Sequence, residues 1–182
     1  MTEAFLLTGG RSVRMGRDKA VLEIDGEAQA ARMVRLLTEA GISTTILGRT
    51  QVPGANLLED DETVKGPLDA LRRARPTAET AFVASCDLPR FDARLVEVLQ
   101  ERIGDADAAI PFVDGFRQPL VGLYRSSAFE SIPVGGCPMD WLNILDVRLV
   151  TEDELKAAGV APETTRGANT PEEWLALVGE QP

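Results

Sequence analysis

The stretch LLTGGRSVRMGRDK, residues 6–19, completes the first apolar run of the chain and then carries four cationic side chains between Arg11 and Lys19. Residues 4–7 are all apolar and predict a buried strand, which Gly9-Gly10 ends. Glycines let backbone N–H groups approach an anion closely, and a loop that leads into a helix offers several such donors. We therefore expect this loop to bind a compact anion.

Apolar runs alternate with helical patterns through the first two thirds of the chain. Short apolar runs predict strands at residues 4–7, 44–47 and 81–86. Apolar residues at helical spacing predict helices at 29–40, 68–75 and 92–103. This βαβαβ order is typical of a parallel sheet with helices on both faces.

The next segment predicts a strand that turns back on itself. Residues 108–113 and 118–124 flank the turn signal Asp114-Gly115, although Pro111 weakens the first arm. Further along, we expect a helix at 141–145, a strand at 146–150, a helix at 151–158 and a helix start at Thr170-Pro171 closed by Glu173. The fold class is thus α/β: a single three-layer α/β/α Rossmann-like domain over residues 1–182, with a mostly parallel sheet and a reversed strand or hairpin.

Composition excludes several classes of function. The formal net charge of −10 argues against nucleic acid and anionic membranes as partners. The absence of histidine excludes a Ser-His-Asp triad, a Cys-His nucleophile and imidazole metal ligands. Cys86 and Cys137 are far apart, and the N-terminal sequence has no signal-peptide pattern, so we expect a cytoplasmic protein.

The glycine-rich stretch differs from two common phosphate loops. Gly9, Gly10 and Gly16 do not form GxGxxG, and Lys19 is not part of a GK[ST] sequence. A Gly-Gly pair alone is usually a turn with solvated neighbours. Here it follows a buried strand and precedes Arg14 and Lys19, which favours the phosphate-binding interpretation.

The same stretch closely resembles the LAGGxSxRMGxDK signature of molybdenum cofactor guanylyltransferases, within the GT-A-like nucleotidyltransferase superfamily; Thr8 stands where alanine is usual. The resemblance implies that Leu7, Thr8 and Gly9 contact the nucleotide, with Gly10 in the same loop. It also implies that Lys19 contacts the phosphates, while Arg14 either assists it or anchors the loop.

The resemblance extends to two acidic residues, of which Asp87 is the first. Asp87 follows the apolar run in Ala84-Ser85-Cys86-Asp87-Leu88-Pro89, where an isolated aspartate would be expected to cap a turn. Beside a phosphate loop it suits Mg²⁺, which is commonly held by one or two carboxylates together with substrate phosphates. The segment is similar to the family's C-D-x-P, whose aspartate binds Mg²⁺, so Asp87 is the expected metal ligand and catalytic residue and belongs to the expected nucleotide-binding set.

Asp60 is the residue expected to contact the base of the nucleotide. It lies in an acidic run that on its own predicts a solvated loop. A carboxylate can accept two hydrogen bonds from the N1–H and N2–H₂ of guanine, and the family places an aspartate here, ahead of a GPLxG segment that reads Gly66-Pro67-Leu68-Asp69-Ala70 in this chain. Gly48 stands where some relatives have a nucleotide-contacting asparagine, which leaves a backbone contact.

The residues expected to bind the second substrate, which accepts the transferred nucleotide, match the family less well. Asn169 corresponds to the second asparagine of the family's NxNTPE, but Gly167 replaces the first, and Cys137 stands where relatives often have an arginine. Residues 114–124, DGFRQPLVGLY, are similar to the family's DGRxxPLxALY.

The resemblance implies a Mg²⁺-dependent transfer of GMP from GTP to molybdenum-bound molybdopterin, with release of pyrophosphate. Molybdopterin-carrying proteins or molybdoenzymes are the implied protein partners. The alternatives are a cytidylyltransferase, a nucleotidyltransferase for another phosphorylated acceptor, and a GTP-binding protein without transfer activity.

Overall fold

The computed structural model describes residues 1–8 and 22–179, and its centre is one mixed β-sheet. Seven strands form it in the order β10-β7-β9-β6-β1-β4-β5, and a short strand β8 pairs with β7. Their bounds are β1 Thr2–Leu7, β4 Ser43–Gly48, β5 Asn56–Glu59, β6 Thr80–Ser85, β7 Ala108–Val113, β8 Phe116–Arg117, β9 Val121–Arg125 and β10 Val147–Thr151. A separate hairpin joins β2, Glu23–Ile24, to β3, Glu27–Ala28.

The sheet is mostly parallel, as the sequence predicts. Strand β1 lies between β4 and β6 and pairs in parallel with both, so that Leu7 is level with Leu47 and with Ser85. Strand β9 runs in the opposite direction between β6 and β7. The carboxyl ends of β1, β4, β5 and β6 therefore meet along one edge.

Helices cover both faces of the sheet. Their bounds are α1 Gln29–Glu39, α2 Pro67–Arg73, α3 Arg94–Arg102, α4 Pro138–Leu142, α5 Glu152–Ala157 and α6 Pro171–Gly179. Alternation along β1 sends Ala4 and Leu6 into the core under α1, α3 and α5, and Phe5 and Leu7 into the core under α2 and α4. The three-layer α/β/α arrangement is thereby confirmed.

The reversed strand follows the expected turn. Asp114 and Gly115 both have positive φ, 54° and 79°, which suits a tight two-residue hairpin turn. The predicted strand at 118–124 in fact begins at Val121, as β9, and the short strand β8 precedes it at residues 116–117. Residues 118–120 lie between them, near Pro111, whose carbonyl accepts a hydrogen bond from the Gln118 N–H at 3.1 Å. Since proline has no N–H to donate, the antiparallel pairing of β7 is interrupted at Pro111, between β9 on one side and β8 on the other.

Aromatic packing supports the position of α4. Trp141 stacks on Tyr124 with ring centroids 4.3 Å apart, and its indole N–H donates to the Ala128 carbonyl at 3.2 Å. The predicted helix at 141–145 was wrong in its bounds, because α4 begins at Pro138. Pro138 stands at the first helical position, and Asp140 closes a capping box with Cys137.

Other differences concern short elements. The sequence did not predict β5, the β2–β3 hairpin or the 3₁₀ helices Ser126–Ser131 and Pro162–Thr165. The predicted helix start at Thr170 is confirmed: the Glu173 N–H donates to Thr170 Oγ1 at 3.2 Å, and Glu173 Oε2 accepts from the Thr170 N–H at 3.2 Å. Within the two described ranges, no helix has the length and apolar character to cross a bilayer.

Candidate active site

Backbone hydrogen bonds hold the carboxyl ends of the neighbouring strands β5, β4, β1 and β6 side by side. The Thr8 N–H donates to the Leu47 carbonyl at 3.0 Å, and the Cys86 N–H donates to the Leu7 carbonyl at 3.1 Å. The Asp60 N–H donates to the Gly48 carbonyl at 3.0 Å. This is the edge of an open α/β sheet at which ligands usually bind.

One cavity, here called the β5 cavity, lies where β1, β4 and β5 end and α2 begins. Its volume is about 840 Å³, and its lining includes Leu7, Thr8, Leu47, Arg49, Asp60 and Lys65. This size falls within the usual range for small-molecule sites. Three of the residues expected to contact a nucleotide, Leu7, Thr8 and Asp60, therefore share a single cavity.

Asp60 is partly buried in the β5 cavity. Its burial raises the pKa of the carboxyl above the ordinary value, while the charges of Arg73 and Arg49 oppose that rise. Arg73 supports the acidic run from α2, donating to the Glu59 carbonyl at 2.9 Å and pairing with Asp61 at 3.3 Å. The neighbouring Asp61 differs, because hydrogen bonds from Thr63 lower the pKa of its carboxyl.

Thr8 adds a hydroxyl to the same cavity. Its side chain is buried, and Oγ1 has no hydrogen-bond partner among the described residues. Buried polar groups are normally paired, so this hydroxyl can donate to or accept from a group that enters the cavity. Gly48 is buried and supplies the carbonyl that holds the Asp60 backbone, and the lining of the β5 cavity includes its two neighbours, Leu47 and Arg49.

A second cavity, here called the Asp87 cavity, lies beyond the end of β6. Its volume is about 610 Å³, and its lining includes Asp87, Gln118, Cys137, Arg166, Gly167 and Asn169. The start of α4 forms one wall, and the segment before α6 forms another. The adjacent strands β1 and β6 thus end in different cavities, which can hold two substrates side by side.

Two hydrogen bonds hold Asp87, one at its side chain and one at its backbone. Ser85 Oγ donates to Asp87 Oδ1 at 2.5 Å, and the Ala168 N–H donates to the Asp87 carbonyl at 2.9 Å. Gly167 lies directly against the carboxylate, since a Cβ built there would be 3.4 Å from Asp87 Oδ1. The segment before α6 therefore packs against the Asp87 side chain.

Asn169 lines the same cavity as Asp87. Its backbone N–H donates to Glu173 Oε2 at 2.6 Å, so the capping box of α6 also fixes the asparagine at the rim. Cys137 lines the opposite wall as an exposed free thiol. The structure therefore places Asp87, which the sequence assigns to the nucleotide and its metal, in one cavity with Asn169, which the sequence assigns to the acceptor.

The remaining expected site residues lie outside the described residues. These are Gly9, Gly10, Arg14 and Lys19, all within the glycine-rich stretch. The described chain stops at Thr8 and resumes at Leu22, whose carbonyl accepts from the Gln29 N–H at 2.8 Å.

Sequence reasoning missed three cations that line the cavities. Arg49 and Lys65 line the β5 cavity, and Arg166 lines the Asp87 cavity. Arg49 could have been found from its place directly after the strand-ending Gly48. Arg166 had only one signal, its position next to Gly167.

The carboxylate oxygens of Asp87 suit a hard cation. A bound substrate would supply further ligands to it. No group of three or more His, Cys, Asp or Glu side chains that could hold a metal occurs in the part of the chain that the structure describes. Mg²⁺ is commonly bound by one or two carboxylates, waters and substrate phosphates. Asp87, which lines the cavity and accepts a hydrogen bond from the Ser85 hydroxyl, fits such a role.

The chain is similar, in sequence and in structure, to several known proteins. The MobA-like NTP transferase domain matches residues 4–134. A probable molybdenum cofactor guanylyltransferase from Pelotomaculum thermopropionicum is 30% identical over 181 residues, covering 93% of this chain and 88% of that protein. The structure of molybdopterin-guanine dinucleotide biosynthesis protein A from Archaeoglobus fulgidus has a TM-score of 0.78 at 21% identity, covering 98% of this chain and 97% of the other. A nucleotidyl transferase from Methanothermobacter thermautotroptrophicus has a TM-score of 0.72 at 13% identity, with 98% and 96% covered.

The mostly parallel sheet and the flanking helices define an α/β fold that matches the solved structures of nucleotidyltransferases, with the cavities at its carboxyl edge. Within that class, the match over residues 4–134 shows that the chain belongs to the family of MobA-like NTP transferase domains. The resemblance seen in residues 6–19 is confirmed at this level, and the chain is a nucleotidyltransferase.

Proposed function

We propose that this chain transfers GMP from GTP to molybdenum-bound molybdopterin, forming the molybdopterin guanine dinucleotide cofactor and pyrophosphate. A relative that is 30% identical along most of both chains is named as a probable molybdenum cofactor guanylyltransferase, which supports this choice of substrates. The observation that carries the proposal is the sharing of one sheet edge by two cavities, with Thr8 and Asp60 lining one and Asp87 and Asn169 the other.

The nucleotide occupies the β5 cavity in this proposal. The carboxylate of Asp60 accepts two hydrogen bonds from N1–H and N2–H₂ of guanine, a pair of donors that cytosine lacks. Leu7, Thr8 and Gly48 complete the contacts on this side, and the Thr8 hydroxyl, which has no partner within residues 1–8 and 22–179, contacts the ligand. Gly9 and Gly10 supply backbone N–H donors to the phosphates, and Lys19 and Arg14 supply positive charge.

The reaction requires positioning more than proton transfer. An oxygen of the acceptor's terminal phosphate attacks the α-phosphorus of GTP, the bond from that phosphorus to the bridging oxygen breaks, and pyrophosphate leaves with the electron pair. The acceptor phosphate is already ionised at neutral pH, so a chain without histidine needs no general base. Lys19 stabilises the charge that develops on the departing pyrophosphate.

Asp87 is the residue that would hold Mg²⁺. Its carboxylate is oriented by Ser85 and faces the side-chain-free surface of Gly167. When bound, Mg²⁺ would neutralise charge on the phosphates during the transfer. Asn169, at the rim of the same cavity, contacts the acceptor.

Molybdopterin-carrying proteins or molybdoenzymes that deliver the acceptor or receive the product are the proposed protein partners. The cytoplasmic location expected from the sequence stays a prediction, which cell fractionation would check.

Pyrophosphate release tests the proposed function. It would be measured with GTP and with CTP, in the presence of Mg²⁺, with and without molybdenum-loaded molybdopterin. Release that needs both GTP and the acceptor is the expected result, and EDTA should abolish it. Release with CTP at an equal rate would contradict guanine selection by Asp60. GTP binding with no acceptor-dependent release would contradict this acceptor.

A further inference from the structure

Arg166 is the one cationic residue among the described residues that line the Asp87 cavity. Two carboxylates, Asp87 and Glu173, line the same cavity. A phosphate group that enters it meets the negative charge of Asp87 and is repelled unless a positive charge lies near. Arg166, next in sequence to Gly167, places a cationic side chain on the lining of this cavity.

A bidentate ion pair holds the Arg166 side chain in place. Its Nε donates to Asp114 Oδ2 at 2.9 Å, and its Nη2 donates to Asp114 Oδ1 at 3.0 Å. Asp114 is itself fixed at the hairpin turn, because its backbone N–H donates to Glu152 Oε1 at 2.9 Å. The guanidinium is therefore oriented in advance, which reduces the entropy lost when it binds a ligand.

The ion pair leaves part of the guanidinium available. Arginine has five N–H donors in a planar fork, and that geometry matches the oxygens of a phosphate. Within the described residues, both side-chain hydrogen bonds of Arg166 go to Asp114, and Nη1 lies 3.5 Å from a Glu163 oxygen. The Arg166 side chain is also 38% exposed, so a ligand in the cavity can reach it.

We propose that Arg166 binds the phosphate group of the acceptor in the Asp87 cavity, and that Asp114 is its positioning residue. This role rests on the proposed function, since it assigns the acceptor side of that same site. It makes the acceptor a phosphomonoester, recognised at Arg166 while the nucleotide is recognised separately in the β5 cavity.

Steady-state kinetics of Arg166→Gln separate this role from a structural one. The Michaelis constant for molybdenum-loaded molybdopterin should rise about 10- to 100-fold, as expected for loss of a charge-assisted contact. The Michaelis constant for GTP should stay within about 2-fold, because GTP lies in the other cavity, and kcat should change little if the contact contributes binding alone. Arg166→Lys should restore part of the acceptor affinity, and Asp114→Asn should raise the same constant by a smaller factor.

Arg35→Gln is the matched control. Arg35 makes a similar bidentate pair with Glu27, at 3.1 and 2.9 Å, and it lines neither cavity. Its kinetic constants should equal those of the unmodified protein, and thermal melts would confirm that all variants are folded.

An unchanged acceptor constant in folded Arg166→Gln would overturn the role of Arg166 and leave the proposed function standing. An equal rise in the GTP constant would also overturn it. An unmodified protein that shows no acceptor-dependent release would contradict the proposed function itself, and the role of Arg166 with it.

Discussion

At the scale of single residues, the chemistry of this protein depends on carboxylates placed where strands end. Asp87 could be singled out from the sequence because it follows an apolar run, and Asp60 because of the family resemblance; the structure places both at cavities. Arg166 could not be found in this way. Its partner Asp114 is 52 residues away, and only the folded chain brings them together.

Asp87→Asn should retain the fold and lower turnover by about 100-fold or more, because an amide loses the charge that favours a divalent cation. Pyrophosphate release at saturating GTP and acceptor measures this effect. Asp105→Asn, at an exposed aspartate that lines neither cavity, is the control and should leave the rate unchanged. A normal rate in Asp87→Asn would remove Asp87 from the mechanism.

GTP affinity should depend on pH through Asp60. Burial raises the pKa of this carboxyl, so it takes up a proton at a higher pH than an exposed aspartate does. Protonation removes an acceptor for guanine, and GTP binding should weaken as the pH falls through that raised pKa. Calorimetric titrations across mildly acidic pH would measure this.

Two variants locate the titrating group. Asp60→Asn should bind GTP weakly with no such pH dependence. Asp61→Asn should keep it, because hydrogen bonds from Thr63 lower the pKa of Asp61 and move its titration to lower pH. A pH dependence that survives in Asp60→Asn would assign it to another group.

At the scale of elements, the strands buried on both faces were the most predictable. Strands β1, β4 and β6 pack against helices on two sides, and their apolar runs reflect this burial. Strand β5 was missed because it is a short edge strand, residues Asn56–Glu59, with no fully buried side chain. An acidic stretch after such a strand resembles a solvated loop until the pairing with β4 is known.

Helix α1 is connected to the loop that carries Asp87 by one buried amide. Gln29 is fully buried at the start of α1, and its Nε2 donates to the Leu88 carbonyl at 2.5 Å. Gln29→Leu should lower the free energy of unfolding by about 1–3 kcal/mol, because it leaves a buried carbonyl unpaired. Urea denaturation measures this cost.

The control for Gln29→Leu is Gln51→Leu, at an exposed glutamine, which should change the free energy of unfolding by no more than about 0.5 kcal/mol. Equal stabilities of the two variants would show that the Gln29 contact contributes nothing. Slower turnover in Gln29→Leu would further indicate that α1 positions the Asp87 loop.

At the scale of the whole molecule, the parallel sheet and its reversed strand could be predicted from element order, whereas the pairing of two cavities could not. The Asp87 cavity combines residues from β6, α4 and the segments before β9 and α6. Such a combination depends on long-range packing, including the stack of Trp141 on Tyr124 beneath α4. Sequence motifs indicated which residues matter, and only the fold showed how they divide between two sites.

Nucleotide binding should stabilise the entire fold, because a ligand that binds the native state alone shifts the unfolding equilibrium. GTP at 100 times its dissociation constant should add about 2.7 kcal/mol and raise Tm by about 5–10 °C. Thermal melts with GTP and CTP would show the difference. CTP at the same concentration should give a much smaller rise, and in Asp60→Asn the two nucleotides should become similar. Equal rises in the unmodified protein would argue against guanine recognition.

The most direct test of nucleotidyl transfer is to follow GTP radiolabelled at the α-phosphate in the presence of Mg²⁺ and molybdenum-loaded molybdopterin. We predict that the label appears in a dinucleotide product that contains the acceptor, in an amount equal to the pyrophosphate released. Label found only in GTP, GDP or GMP, with none joined to the acceptor, would contradict guanylyl transfer between the two cavities.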